Sequence, residues 1–199
     1  METNLLHHHK ISGIYAITPN RALDIDAVEK ILVQHNISIL QYRYKTTNTI
    51  TRLNETRQLH RLCAKHHTLF IINDDINLAK KIKAGGVHLG KTDASINQAR
   101  AILGGNAVIG VSCYNDINLA QQAQSQGADY VAFGALFPST TKPNAPQCGL
   151  DIITQAAQGL HIPIVGIGGI DFDNQQQAFD AGCDSVAMIS ALFQSTDSR

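Results

Sequence analysis

Short apolar runs alternate with longer amphipathic ones from one end of the chain to the other, a pattern that predicts repeated strand–helix units around a parallel sheet. Eight strand-like runs fall at 13–18, 38–42, 68–73, 86–89, 107–112, 130–133, 163–167 and 185–189. Several are too apolar for a sheet with one wet face, so they are expected to be buried on both. Helix patterns lie between them at 27–34, 49–66, 76–83, 96–103, 116–126, 150–158 and 174–181, with a short eighth from Ser190 onward. Val28, Ile31 and Leu32 share one helical face, Asn115 is placed to cap the fifth helix, and Gly182 to follow the seventh. Small residues recur just before strands, as in Ala84-Gly85-Gly86 and Gly127-Ala128, where a chain leaving a helix must turn tightly back. Eight such units with no low-complexity linker predict an α/β fold, a single-domain (β/α)8 TIM barrel over residues 11–199 preceded by a polar leader, 1–10. A doubly wound open sheet is the alternative.

Composition narrows the partners. With 199 residues and 44% hydrophobic content the chain has enough material for one substantial core, and 16 basic residues balance 16 acidic ones. No surplus of charge favours nucleic acid or an anionic membrane, so any anion site must be local. Cys63, Cys113, Cys148 and Cys183 are scattered with no C-x-x-C pair, which suggests neither zinc nor a disulfide framework and fits reduced thiols in the cytoplasm. No stretch reaches the roughly 20 apolar residues of a membrane span. His7, His8 and His9 lack a neighbouring acid or thiol and are expected to be a solvated tail.

In a barrel of this kind the chemistry gathers at the carboxyl ends of the strands. There the second run closes with Gln41, Arg43 and Lys45, alternate positions expected on one side, which suits a polyanion or simply a solvated strand end. The third run leads into Asn73-Asp74-Asp75. Asp75 has a structural role as helix N-cap, and Asp74 has none. Asp93 follows the fourth run, and two carboxylates on neighbouring loops can hold one Mg²⁺, the competing role for Asp93 being a helix cap. His88 is expected to be a packed, hydrogen-bonded residue. Ser112 shows no acid or histidine partner along the sequence and is expected to donate or accept hydrogen bonds, not to act as a nucleophile. The irregular stretch 135–149 carries Ser139, Thr141 and Lys142, groups that suit a phosphate lid or a surface turn. Gly168-Gly169 and Ile189-Ser190 end the last two runs, where barrels commonly seat a phosphate on bare backbone and a helix N-terminus.

Six segments taken in order, Gln41-x-Arg43-x-Lys45, Asn73-Asp74, Gly86-Val87-His88-Leu89-Gly90-x-x-Asp93, Gly110-Val111-Ser112, Phe137-Pro138-Ser139-x-Thr141-Lys142-Pro143 and Ile167-Gly168-Gly169-Ile170, closely resemble thiamine-phosphate synthase. The resemblance runs from Gly13 to Ala191. It implies a (β/α)8 barrel that condenses 4-amino-2-methyl-5-hydroxymethylpyrimidine diphosphate with 4-methyl-5-(2-hydroxyethyl)thiazole phosphate, releasing pyrophosphate, with Mg²⁺ as cofactor. By the same resemblance Gln41, Arg43, Lys45 and Asn73 bind the pyrimidine diphosphate and Asp74 and Asp93 the metal. Ser112 lies near the pyrimidine, Lys142 on the leaving pyrophosphate, Ser139 and Thr141 against the thiazole phosphate, and Gly169, Ile189 and Ser190 around its phosphate group. Lys142, Arg43, Lys45 and Ser112 are the implied catalytic groups, and family analogy implies a homodimer.

Three positions depart from the family pattern. Lys91 replaces a usual glutamine, Ser139 a common threonine, and Tyr114 a histidine often seen after Gly-Val-Ser. The sister family of thiazole tautomerases resembles this fold and uses a histidine in that region, so Tyr114 weighs toward the synthase. A non-catalytic phosphate sensor built on a decayed barrel is the third reading, and the full set of charged site residues weighs against it.

Overall fold

The computed structural model describes residues 11–138 and 147–193. Eight parallel strands close on themselves in chain order: β1 (Gly13–Ile17), β2 (Ile39–Tyr42), β3 (Leu69–Asn73), β4 (Gly86–Leu89), β5 (Val108–Tyr114), β6 (Tyr130–Phe133), β7 (Ile164–Ile167) and β8 (Ser185–Met188), with β8 pairing back onto β1. Between them run α1 (Ile25–Gln34), α2 (Thr49–Lys65), α3 (Ile76–Ile82), α4 (Ile96–Leu103), α5 (Ile117–Ser125), α6 (Asp151–Ala157) and α7 (Gln175–Ala181). The expected barrel is therefore present, and the open sheet is excluded by its closure.

Three local expectations are corrected. The cap of α5 is Asp116, whose carboxylate accepts from the Leu119 N–H, and not Asn115. No α-helix follows β8 among the described residues; a single turn, with Leu192 and Phe193 both donating to the Ile189 carbonyl, takes its place. Ser95 caps α4 in a reciprocal box with Gln98, so Asp93 does not serve as its cap. The other caps follow the pattern of the sequence: Asp75 opens α3, and Gly182 closes α7 at φ +115°, a left-handed conformation that glycine adopts without steric cost.

The strand parity divides the core into two bodies. Residues of one parity pack outward beneath the helices, among them Leu40, Ile72, Val87, Ile109, Phe133 and Val186. The other parity fills the barrel with Tyr15, Ile17, Ile39, Ile71, Tyr130 and Val165. Both faces of the sheet are thus dry, which is why the strands read as continuous apolar runs. Gly110 is an interior position where side-chain size decides the packing: a Cβ there would fall inside the ring of Tyr130, which lies across it.

Candidate active site

Acids and cations meet where β2, β3 and β4 end. Lys45 Nζ lies 3.0 Å from the Asp74 carboxylate. The Asp74 carboxyl adjoins that of Asp93 closely enough to act on its charge, and Asp93 also accepts from the Gly90 N–H at 2.6 Å. Withdrawal from water raises the Asp93 carboxyl first, the Gly90 bond opposes that, and the adjoining Asp74 carboxyl raises it again. Asp74 is held there by its backbone, at φ +63° with its N–H donating to the His88 carbonyl at 2.9 Å. Left-handed backbone costs a non-glycine residue about 1–2 kcal/mol, and aspartate is one of the few side chains that visits it. Freed from capping, Asp93 and Asp74 form a pair of hard oxygen donors whose mutual repulsion a cation would relieve. That donor chemistry fits Mg²⁺, which is commonly held by one or two carboxylates and completes its shell with water and phosphate.

A cleft of about 240 Å³ opens beside this pair, lined by Tyr42, Arg43, Tyr44, Lys45, Arg52, Asn73 and Asp74 among others. Because β2 stops at Tyr42, Gln41 belongs to the strand while Arg43 and Lys45 lie in the loop beyond it, where both line the cleft. Gln41 is inside the barrel and buried, while the segment carrying Arg43 and Lys45 is pinned to the loop after β1. There the Arg43 N–H donates to Thr18 Oγ1 at 2.8 Å and the Lys45 N–H to Asn20 Oδ1 at 2.7 Å. Arg52 of α2 is a cation that the sequence pattern did not single out. Its guanidinium meets Asp75 at 3.0 Å, and its position within a regular helix gave no signal that it faced the rim. A larger cleft of about 680 Å³ lies at the start of α5; its lining among the described residues includes Asp116 and Asp151 and neither lysine nor arginine.

Inside the barrel top the structure joins residues that sequence spacing left apart. His88 Nε2 is 2.8 Å from Ser112 Oγ, which corrects the view of Ser112 as lacking a histidine partner. The register explains it: His88 pairs with Gly110, and Ser112, two residues on, takes the same inward face. His88 Nδ1 is 2.9 Å from the Tyr130 hydroxyl, which lies 2.8 Å from the Tyr15 hydroxyl, and Gln41 Nε2 donates to Tyr15 at 2.7 Å. As expected, His88 is packed and hydrogen-bonded.

Burial pushes the His88 imidazole down to about 4 from an ordinary 6.5, with Asp93 acting in the opposite direction. Between those values the unfolded chain binds a proton that the folded chain does not, so stability is full above pH 6.5 and falls as the pH drops toward 4. At pH 5 relative to pH 7, the chain should lose about 2 kcal/mol more than a His88→Gln variant. Urea unfolding of both at the two pH values measures the difference; equal losses would contradict the buried neutral imidazole.

On the opposite rim, Gly168 and Gly169 have φ values of +97° and +66°, and a Cβ at Gly169 would strike the backbone of Phe137 and Pro138. The expected bare backbone is present there, ahead of the turn that begins at Ile189 and Ser190. Ser139, Thr141 and Lys142 lie outside the described residues, as do His7, His8 and His9.

The family model described as thiamine monophosphate synthase matches residues 14–192. The chain belongs to that family. A thiamine-phosphate synthase of Nitrosococcus oceani is 45% identical over 192 residues, covering 95% of this chain and 88% of the relative. One of Thioalkalivibrio sulfidiphilus is 43% identical over 191 residues, covering 94% and 90%. Among solved structures, thiamine phosphate pyrophosphorylase from Pyrococcus furiosus superposes with a TM-score of 0.83 at 31% identity, covering 92% of this chain and 88% of that one. A 3-hexulose-6-phosphate synthase, at 15% identity and a TM-score of 0.62, shares the fold alone.

Proposed function

We propose that the rim at the ends of β2, β3 and β4 carries the diphosphate of a 4-amino-2-methyl-5-hydroxymethylpyrimidine donor while 4-methyl-5-(2-hydroxyethyl)thiazole phosphate attacks its methylene carbon. Thiamine-phosphate synthesis is the activity of the family, and the chain is a transferase of that class. The observation that carries the site assignment is the meeting of Asp74, Asp93 and Lys45 beside the cleft that Arg43 and Asn73 line.

The thiazole nitrogen owns a lone pair, so no general base is needed to create the nucleophile. The difficulty lies in the leaving group: the C–O bond to the diphosphate breaks as the C–N bond forms, and negative charge gathers on the departing oxygens. Arg43 and Lys45 act on that charge from the end of β2, and Lys142 adds a third cation. Asp74 and Asp93 hold Mg²⁺, which when bound neutralises charge on pyrophosphate. Gln41 and Asn73 hydrogen-bond the pyrimidine diphosphate, and Ser112 lies against its pyrimidine. Ser139 and Thr141, with the backbone of Gly169, Ile189 and Ser190, take the thiazole phosphate, so that both reactants are held in line. Departure assisted by fixed charges accounts for a rim rich in phosphate ligands, and it gives the Ser112–His88 pair no nucleophilic step to perform.

Four free thiols support a reducing, cytoplasmic setting, and no helix among the described residues is long and apolar enough to cross a membrane. A homodimer follows from family analogy. The tautomerase alternative is not favoured, since the full-length relatives named above are synthases. The test is direct: purified chain with Mg²⁺ and both substrates should form thiamine phosphate and pyrophosphate, and EDTA should stop it. Product formation unaffected by EDTA would remove the metal from the account, and proton exchange on a thiazole carboxylate phosphate would favour the tautomerase.

A further inference from the structure

A line of five polar side chains crosses the barrel interior from β2 to β5: Gln41, Tyr15, Tyr130, His88 and Ser112, joined by contacts of 2.7, 2.8, 2.9 and 2.8 Å. Its middle is dry, with Tyr15 and Tyr130 at most 1% exposed. An interior hydroxyl at such a place needs both a donor and an acceptor, because leaving its hydrogen unmatched is costly. That requirement gives the line a direction.

Gln41 Nε2 carries only hydrogens, so Tyr15 accepts from it. The single Tyr15 hydrogen then goes to the Tyr130 oxygen, and the Tyr130 hydrogen to His88 Nδ1, its remaining neighbour. With Nδ1 accepting, the ring hydrogen sits on Nε2 and is donated to Ser112 Oγ. With Gln41 Nε2 as its other neighbour, the reverse direction would leave the Tyr15 hydrogen with no acceptor in the line.

We propose that Tyr130 and His88 are positioning residues: the Tyr130 hydroxyl fixes the tautomer of His88, and His88 occupies a lone pair of Ser112 so that the serine hydroxyl hydrogen is left to donate to the pyrimidine diphosphate. The inference rests on the proposed site for its last link alone. Its earlier links belong to the free protein. Ser112 is a donor of fixed direction, and the choice is made at Gln41 on the far side of the barrel. Since Gln41 is itself an expected substrate ligand, both ends of the line face the same reactant.

The test is nitrogen-15 imidazole NMR on the full chain without substrate, with His88 assigned by its loss in His88→Gln. The expected spectrum shows Nδ1 bare and Nε2 protonated at neutral pH. Tyr15→Phe should weaken that preference, because the Tyr130 hydroxyl is then cut off from the donor at Gln41 that turns its hydrogen toward His88. Tyr130→Phe should disturb it by removing the donor to Nδ1. A ring protonated on Nδ1 in the unaltered chain, or one unmoved by Tyr130→Phe, would overturn the proposal.

Turnover supplies a separate reading of the last link. Tyr130→Phe should lower kcat roughly tenfold, the loss expected of one hydrogen bond's direction, with KM little changed. In a Ser112→Ala background the same substitution should have almost no further effect on kcat, because the residue it acts through is gone. Full additivity would mean a general packing role and would overturn the positioning role. A tautomer as expected together with additive turnover would leave the relay intact and reject the assignment of Ser112 to the substrate. Should Tyr130→Phe not fold, the tautomer of the unaltered chain still decides the direction.

Discussion

Asp93→Ala should reduce thiamine phosphate formation by about two to three orders of magnitude, the size of loss seen when one fixed group acting on developing charge is removed. The carboxylate has no competing structural task of comparable weight. Ser95 and Gln98 cap α4 without it, and its one backbone bond, from Gly90, belongs to the rim itself. The folded chain should therefore survive with an unfolding free energy within about 1 kcal/mol of the original, as surface-near substitutions generally do. Steady-state rates at several Mg²⁺ concentrations, with urea unfolding on the same samples, separate the two quantities. Asp93→Asn should behave like alanine in rate, since an amide offers an oxygen without the charge. An Asp93→Ala chain that turns over at more than a tenth of the original rate would show that the carboxylate is not needed.

Gly110→Val should produce the largest loss of stability, about 3 kcal/mol or more. Overfilling a packed interior costs about 1–3 kcal/mol in displaced side chains, and here the displaced group is the Tyr130 ring together with its bonds to Tyr15 and His88. Gly105→Ala is the control, because a Cβ at Gly105 meets nothing within 4 Å. Urea midpoints should fall sharply for the first and stay close to the original for the second. Equal midpoints would mean that the Tyr130 ring does not occupy the space above Gly110.

Most of the barrel could be read from the chain because its physical signature is local. Strands buried on both faces leave continuous apolar runs, and turns into them leave glycines, so β3 and β4 were placed to within a residue. The end of β8 was less legible: where a short helix is expected after Ser190, the described residues form a turn closed on the Ile189 carbonyl, and a stretch that short carries no periodic face to read. Asp74 and Asp93 were visible as unexplained acids following apolar runs. What spacing hid was whatever depends on register. His88 and Ser112 are 24 residues apart and meet because β4 and β5 are offset so that both face inward. Tyr15 and Tyr130 look like ordinary core residues of their strands, and only closure of the barrel brings the hydroxyls together. Arg52 shows the same limit from a helix, where a charged residue facing the rim has the same local pattern as one facing water.

A structure of the chain with Mg²⁺ and pyrophosphate tests the central claim most directly. The account predicts one cation bound by both the Asp74 and the Asp93 carboxylates, with pyrophosphate between it and the side chains of Arg43 and Lys45. A cation bound away from those two carboxylates, or pyrophosphate seated elsewhere with Arg43 and Lys45 untouched, would contradict it.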